Sequence, residues 1–301
     1  MDQSFVPDYR KHLGAEWGDR GDAIFHALLT DHRKLARNSR FTGGSKTVYH
    51  MDPASLLPAV ALDVLPGMEV LDLCAAPGGK TLLLAESLFL AQKARKHSDE
   101  AAQGRLVANE ISDGRRTRLK NTIRDYVDPE FVGQVRVTGY DASRWGLNEK
   151  EAYDRILVDA PCSGDRFFLK KLHNQQLHES DADEVEDFRP GRTKRLAIRQ
   201  YAILASAWMA LKPGGRLVYS TCAVSEIEND KVVAKLVKRQ GVDESGAPAL
   251  RVERTLSEEV CAVATSHQME CEPTEHGFIV LPDRSGGAGP IYFSILNKLQ
   301  G

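Results

Sequence analysis

From about residue 50 onward, short apolar runs bounded by turn residues alternate with longer runs of helical period. That alternation predicts a layered α/β domain. Val70 to Leu73 reads as a short buried strand, branched at its start and carrying one acid, Asp72. Pro77, Gly78 and Gly79 punctuate a tight turn, and Thr81 to Phe89 follows as an apolar, helix-favouring run. Further strands are read over Arg105–Glu110, Gln134–Tyr140, Arg155–Ala160 and Arg216–Cys222. Gly277–Leu281 and Ile291–Leu299 close the series as a hairpin placed at the far sheet edge. Helices are expected after Asp52 (a candidate N-cap followed by Pro53), over Arg115–Ile123, over Thr193–Leu211 and over Glu226–Lys238. The expected architecture is a Rossmann-like seven-stranded sheet with an antiparallel edge strand.

Two regions depart from the alternation. Residues 1 to about 40 read as helical, with Trp17, Ile24, Leu28 and Leu29 at approximate helical spacing and Gly43-Gly44 closing the segment. This divides the chain into a helical N-terminal region over 1–48 and one domain over 49–301. Cys162 to Lys194 is a long polar insertion, with an acidic run from Glu179 to Asp187 before a basic set around Arg189–Arg199. It reads as a solvated loop or, more sharply, a lid on the substrate side.

Composition changes this picture mainly by exclusion. A chain of 301 residues can bury one large core plus a small appendage. The net charge of −2 gives no global sign of nucleic-acid binding, so any basic surface must be local. Local clusters exist at Arg33–Lys46, Arg115–Lys120, Arg166–Lys171 and Arg189–Arg199. No apolar run is long enough to span a membrane. Asp2, Asp8, Glu16 and Asp19 argue against a transit or signal peptide in the chain as it stands. The five cysteines show neither C-x-x-C metal spacing nor a secreted disulfide pattern, which predicts free thiols in a reducing compartment.

The turn after Val70–Leu73 carries the first chemistry. Gly79-Lys80-Thr81 imitates the end of a phosphate-binding loop, but Cys74 stands where that motif needs glycine. No G-x-G-x-x-G is present either. What remains is a nucleoside ligand not held by its phosphates, and S-adenosylmethionine (AdoMet) fits best. Four strands each deliver an acid toward one rim: Asp72, Glu110, Asp141 and Asp159. Like charges so placed repel unless donors, bases or a sulfonium separate them. Glu110 can accept hydrogen bonds from both ribose hydroxyls, or simply supply negative charge to the following helix start.

Two thiols end neighbouring-looking strands, Cys162 and Cys222, whereas Cys74 suits a small buried hydrophobe. Adjacent strands lie about 4.8 Å apart, so both sulfurs could open into one pocket. Cytosine has no nucleophilic carbon 5 until something adds to carbon 6. A thiolate can make that addition, a second group can assist its later expulsion, and a carboxyl group can hold the base edge.

Leu71-Asp-Leu-Cys-Ala-Ala-Pro-Gly-Gly-Lys80, Asp159-Ala-Pro-Cys-Ser163 and Lys212-Pro-Gly-Gly-Arg-Leu-Val-Tyr-Ser-Thr-Cys222, in that order, resemble the Sun/Fmu RNA cytosine-5 methyltransferases. The resemblance runs from about Phe5 to the carboxyl end. Asp52-Pro-Ala-Ser-Leu-Leu-Pro58, Tyr153-Asp-Arg155 and Gly289-Pro-Ile-Tyr-Phe293 look most similar to the family's mitochondrial, ribosomal-RNA-modifying side. It implies the class I AdoMet-dependent methyltransferase fold, RNA (ribosomal rather than transfer) as substrate and a mitochondrial setting. It implies Cys222 as nucleophile, Cys162 as helper in product release and Asp159 on the cytosine edge. It also implies cofactor contacts from Cys74, Ala75, Ala76, Pro77, Gly78, Gly79, Lys80, Glu110, Arg115, Asp141 and Asp159. No metal is implied; a monomer with a protein partner for RNA targeting is. The departures are a shorter spacer before Tyr49 and longer loops after Glu86 and Asp165. Two rivals remain: a DNA cytosine methyltransferase, which would use Cys162 as nucleophile, and a non-catalytic RNA-binding ribosome-assembly factor.

Overall fold

The apolar runs pair into one mixed sheet, seen in a computed structural model that describes residues 5–30, 33–94, 104–173, 190–242 and 245–300. Strands are numbered in chain order: β1 (Leu35–Asn38), β2 (Val48–Met51), β3 (Glu69–Asp72), β4 (Arg105–Asn109), β5 (Val135–Thr138), β6 (Tyr153–Asp159), β7 (Leu211–Thr221), β8 (Leu250–Val252), β9 (Glu272–Pro273), β10 (Phe278–Val280) and β11 (Ile291–Lys298). The main sheet runs β5-β4-β3-β6-β7-β11-β10-β9, with β8 paired to β11. The pairs among β3 to β7 are parallel. β11 is antiparallel to both β7 and β10.

The sheet is buried on both faces, which explains why its strands read as nearly continuous apolar runs. Side chains alternate between two cores. Val70, Leu106, Leu157 and Val218 join one, packed by the helices Leu56–Ala61, Gly79–Ala94 and Asp113–Tyr126. Leu71, Val107, Ile156, Val158 and Tyr219 join the other, with Leu204 and Trp208 of helix Pro190–Ala210, Leu236 of Asp230–Gln240, and Leu13, Ile24 and Leu28. Burying one such aliphatic side chain contributes about 1.5–3 kcal/mol, so the two layers hold the strand ends in a fixed row.

Three expectations are corrected. The sheet has nine strands among the described residues rather than seven, because the short β8 and β9 add to it. Three and two residues are too few to show a periodicity. The antiparallel strand is not at the edge: β11 lies between β7 and β10, and residues Ile291–Leu296 are buried on both sides as an interior position requires. The segment before residue 40 is not helical throughout. Helices Phe5–Trp17 and Gly21–Leu29 form, but β1 pairs antiparallel with β2 in a separate small sheet. Arg37 of β1 ties that sheet to the buried Glu86 of helix Gly79–Ala94, at 2.8 and 3.0 Å.

Elsewhere agreement is partial: the strand read from Arg216 begins at Leu211, directly after helix Pro190–Ala210. Asp52 caps the turn at Pro53, accepting the Ala54 N–H at 2.8 Å, and it also accepts from the Gly289 N–H. The helix read over Glu226–Lys238 starts later, at Asp230, because Glu228 and Asn229 serve the strand ends instead. Within the polar insertion, Asp165–His173 is a helix; the acidic run lies outside the described residues.

Candidate active site

The carboxyl ends of β3 to β7 form one rim, where ligands of open parallel sheets bind. Asn109 pins the β5–β4–β3 side of it. Its amide donates to the carbonyls of Leu73 and Tyr140 and accepts from Thr138 Oγ1 and the Tyr140 N–H, all at 2.8–3.1 Å. Three strand ends are thereby fixed by one side chain with no bonding capacity left over. Nothing local in the sequence marks this role, since every partner is remote along the chain.

From β3 the chain turns through Cys74–Gly78 into helix Gly79–Ala94. The Ala75 N–H donates to the Asn109 carbonyl. Arg115 donates to the Ala76 carbonyl at 3.1 Å, and Thr122 to that of Pro77 at 2.8 Å. Gly78 sits at φ +113°, and a Cβ there would lie 2.9 Å from Thr122 Cγ2. The loop is thus pressed against helix Asp113–Tyr126. Burial pushes the Cys74 thiol up, away from the thiolate form, in keeping with a small apolar residue.

The four rim acids each have a partner within the protein, so donors and cations of the chain itself offset their mutual repulsion. Asp72 is buried, accepts from Thr81 Oγ1 at 2.7 Å and leaves its other oxygen without a partner. Burial raises its pKa to about 7. Glu110 accepts the Ser112 N–H at 2.9 Å and lies 3.3 Å from Arg115. Asp141 accepts from the Ser143 N–H and Oγ, bonds that hold its carboxyl below the usual range. Asp159 accepts from Lys80 Nζ on one oxygen and from Ser220 Oγ on the other, both at 2.8 Å. Lys80 therefore joins the turn after β3 to the end of β6.

Both predicted cysteines meet beyond Asp159. The sulfurs of Cys162 and Cys222 are bonded to one another, with Cα atoms 6.3 Å apart, whereas Cys74, Cys261 and Cys271 are free. This differs from the expectation of free thiols throughout. The parallel pairing of β6 with β7 sets Asp159 opposite Ser220, so the two chains leave the sheet side by side and deliver their thiols together. Chemistry at either sulfur requires the reduced pair.

A buried polar frame stands behind them. Ser163 donates its N–H to Glu228 at 3.0 Å and its hydroxyl to Asp165 at 2.8 Å. Asp165 accepts the Val224 N–H, and Gln200 donates to both Glu228 and the Pro161 carbonyl. Asn229 joins Thr221 Oγ1 to the Ala223 carbonyl. Burial, then the nearby Asp165, raises Glu228 to about pKa 7. Sequence reading missed this frame because Glu228 and Asn229 look like ordinary helix-start residues. A cavity of about 340 Å3 opens beside Cys222, with Asp52, Ser55, Gly164, Phe167 and Pro290 among its walls.

Comparison with known proteins shows the family of the chain. The model of the family described as "16S rRNA methyltransferase RsmB/F" matches residues 59–258. The chain is 36% identical over 253 residues to the "5-cytosine rRNA methyltransferase NSUN4" of Bos taurus, covering 83% of this chain and 59% of that protein. It is 32% identical over 261 residues to the mitochondrial "tRNA (cytosine(34)-C(5))-methyltransferase" of Mus musculus, covering 85% and 65%. The chain thus spans about three-fifths of the length of these relatives. Among solved structures, a methyltransferase homologue from Pyrococcus horikoshii superposes with a TM-score of 0.63 at 20% identity, over 99% of this chain and all of that one. With a family model over about two thirds of its length and relatives above 30% identity, the chain belongs to the RsmB/F (Sun/Fmu) methyltransferase family.

Proposed function

We propose that this protein transfers a methyl group from AdoMet to carbon 5 of a cytosine in RNA, ribosomal RNA ahead of transfer RNA. The observation that carries the reading is the meeting of Cys162 and Cys222 beside Asp159 at the ends of neighbouring parallel strands. The residues on the rim fit the cofactor. Glu110 and Asp141 are acceptors, as ribose hydroxyls and an adenine amine require, and the Cys74–Lys80 turn brings backbone to the same place. Arg115 steadies that turn and Glu110 together.

When bound, AdoMet supplies an electrophilic methyl group. The protein's own residues do the rest. Asp159 holds the cytosine edge, kept in position by Ser220 and Lys80. Cys222, as thiolate, forms a bond from Sγ to carbon 6, and the electron pair displaced from the 5,6 double bond makes carbon 5 nucleophilic. After methylation Cys162, as thiolate in the reduced pair, accepts the carbon 5 proton; the C–H electron pair re-forms the 5,6 double bond and the Sγ–carbon 6 bond breaks, returning Cys222 to the thiolate. A DNA enzyme using only Cys162 would have no need of a second thiol beside it.

Domain limits follow the same reading, with an N-terminal region of two helices and β1 over 1–48 and the methyltransferase domain over 49–301, joined across that boundary by the β1–β2 ladder. We further propose a monomer that works in mitochondria with a protein partner. The mitochondrial relative supports the setting, and no described helix is long and apolar enough to cross a membrane. Bisulfite sequencing of total RNA, incubated with and without the protein and AdoMet, tests the activity. A cytosine that resists conversion only in the treated sample is the expected result, and an unchanged profile counts against the reading.

A further inference from the structure

Helix Asp165–His173 begins three residues after Cys162, and its first turn is firmly held. Arg166 spends its guanidinium internally, donating to the carbonyls of Gly287 at 2.7 Å and Ala27 at 3.2 Å. The next side chain, Phe167, is 64% exposed. A lone exposed aromatic residue needs no explanation by itself. What distinguishes Phe167 is its surroundings. It lines the same 340 Å3 cavity as Cys222, together with Lys170, and the Lys171 ammonium lies 4.8 Å from its ring centroid. An aromatic face, the Lys170 cation and the Cys222 sulfur therefore share one opening, with Lys171 against the ring.

A cytosine that reaches Cys222 has to leave its stack, so the nucleotide next to it loses a neighbour. An aromatic ring at the pocket mouth can replace that neighbour, because every base offers a π-face, while adjacent cations meet the phosphates. We propose that Phe167 is a stacking platform for the unpaired base beside the target cytosine, with Lys170 and Lys171 on the flanking phosphates. The occupant is single-stranded RNA, and charge complementarity separates this from an apolar protein contact. The inference rests on the RNA-cytosine reading above. Lys171 covers one face of the ring and the base takes the other.

The test is binding, measured without AdoMet so that no methyl transfer is needed. Fluorescence anisotropy compares a reduced protein's affinity for a labelled 12-nucleotide oligocytidylate with that for the same strand lacking every second base. The wild type should prefer the complete strand by roughly ten-fold, the range expected for one stacked base. Phe167→Ala should lose that preference and bind both strands alike, Phe167→Tyr should keep it, and Phe167→Leu should behave as Ala. Equal affinity of wild type and Phe167→Ala for the complete strand would overturn the proposal, as would an equal loss on both strands. The two readings fail separately. Methyl transfer to RNA with a neutral Phe167→Ala removes only the stacking role. A base-dependent Phe167 effect without methyl transfer removes only the chemistry.

Discussion

At the scale of single residues, the tasks proposed for Cys222 and Cys162 in the reduced protein can be separated. Cys222→Ala should abolish methyl transfer while calorimetry finds AdoMet affinity near that of the wild type. Cys162→Ala should instead accumulate a protein–RNA species that survives denaturing electrophoresis; clean turnover without such a band would reassign it. Asp72 offers a different handle. Its folded pKa, raised by burial to about 7, exceeds the unfolded value near 3.9, so the folded state binds the extra proton between those limits. Its contribution to stability is present at low pH and is lost as pH rises toward 7. The stability of the wild type relative to Asp72→Asn, from urea midpoints, should therefore grow as pH falls from 7 to 5. A constant difference would mean that Asp72 is ionised throughout. Cys162, Cys222 and Asp159 were legible because each sits inside a short motif at a strand end. Asn109, Asp165 and Glu228 were not, since their roles consist of bonds to residues far away in sequence.

At the scale of elements, the turn after β3 makes the strictest demand on sequence. Gly78 occupies the left-handed half of backbone space and lies against Thr122. An alanine there would be strained by its φ and crowded by the threonine methyl, at a cost of order 1–3 kcal/mol. Gly78→Ala should weaken AdoMet binding by roughly ten-fold through displacement of the loop, with thermal stability lowered alongside. Unchanged calorimetry would show that the loop adapts. This turn, its strand and its helix could all be read from the sequence, since proline, glycine and apolar runs act locally. β1 could not. Leu35-Ala-Arg-Asn38 has ordinary helix formers, and only pairing with Val48–Met51 and the Arg37–Glu86 contact make it a strand. The interior place of β11 was equally hidden, because a hairpin's order in a sheet is settled by the neighbour it finds.

At the scale of the whole molecule, charge decides how the protein meets RNA. The basic clusters look substantial in sequence, but several of their members are engaged within the fold. Arg33 donates to the His267 carbonyl, Arg37 pairs with Glu86, and Lys46 pairs with Asp125. Arg115 and Arg166 hold loops, and Arg116 pairs with Asp113. The other cluster cations are split among separate stretches of the chain, so one cleft is expected to bring only about three of them onto phosphates. For single strands each contributes roughly 0.7 to the slope of log affinity against log salt, so a slope near −2 is expected. Extrusion of the target cytosine costs a further few kcal/mol. One stacked base at Phe167 offsets part of that and no more. Binding of the isolated chain to RNA at physiological salt should therefore be weak, which is why a partner protein or a pre-folded ribonucleoprotein is the economical targeting device. A salt titration on the RNA that bisulfite mapping identifies makes this measurable. Nanomolar affinity of the protein alone at physiological salt, with rapid turnover on the naked transcript, would remove the need for a partner.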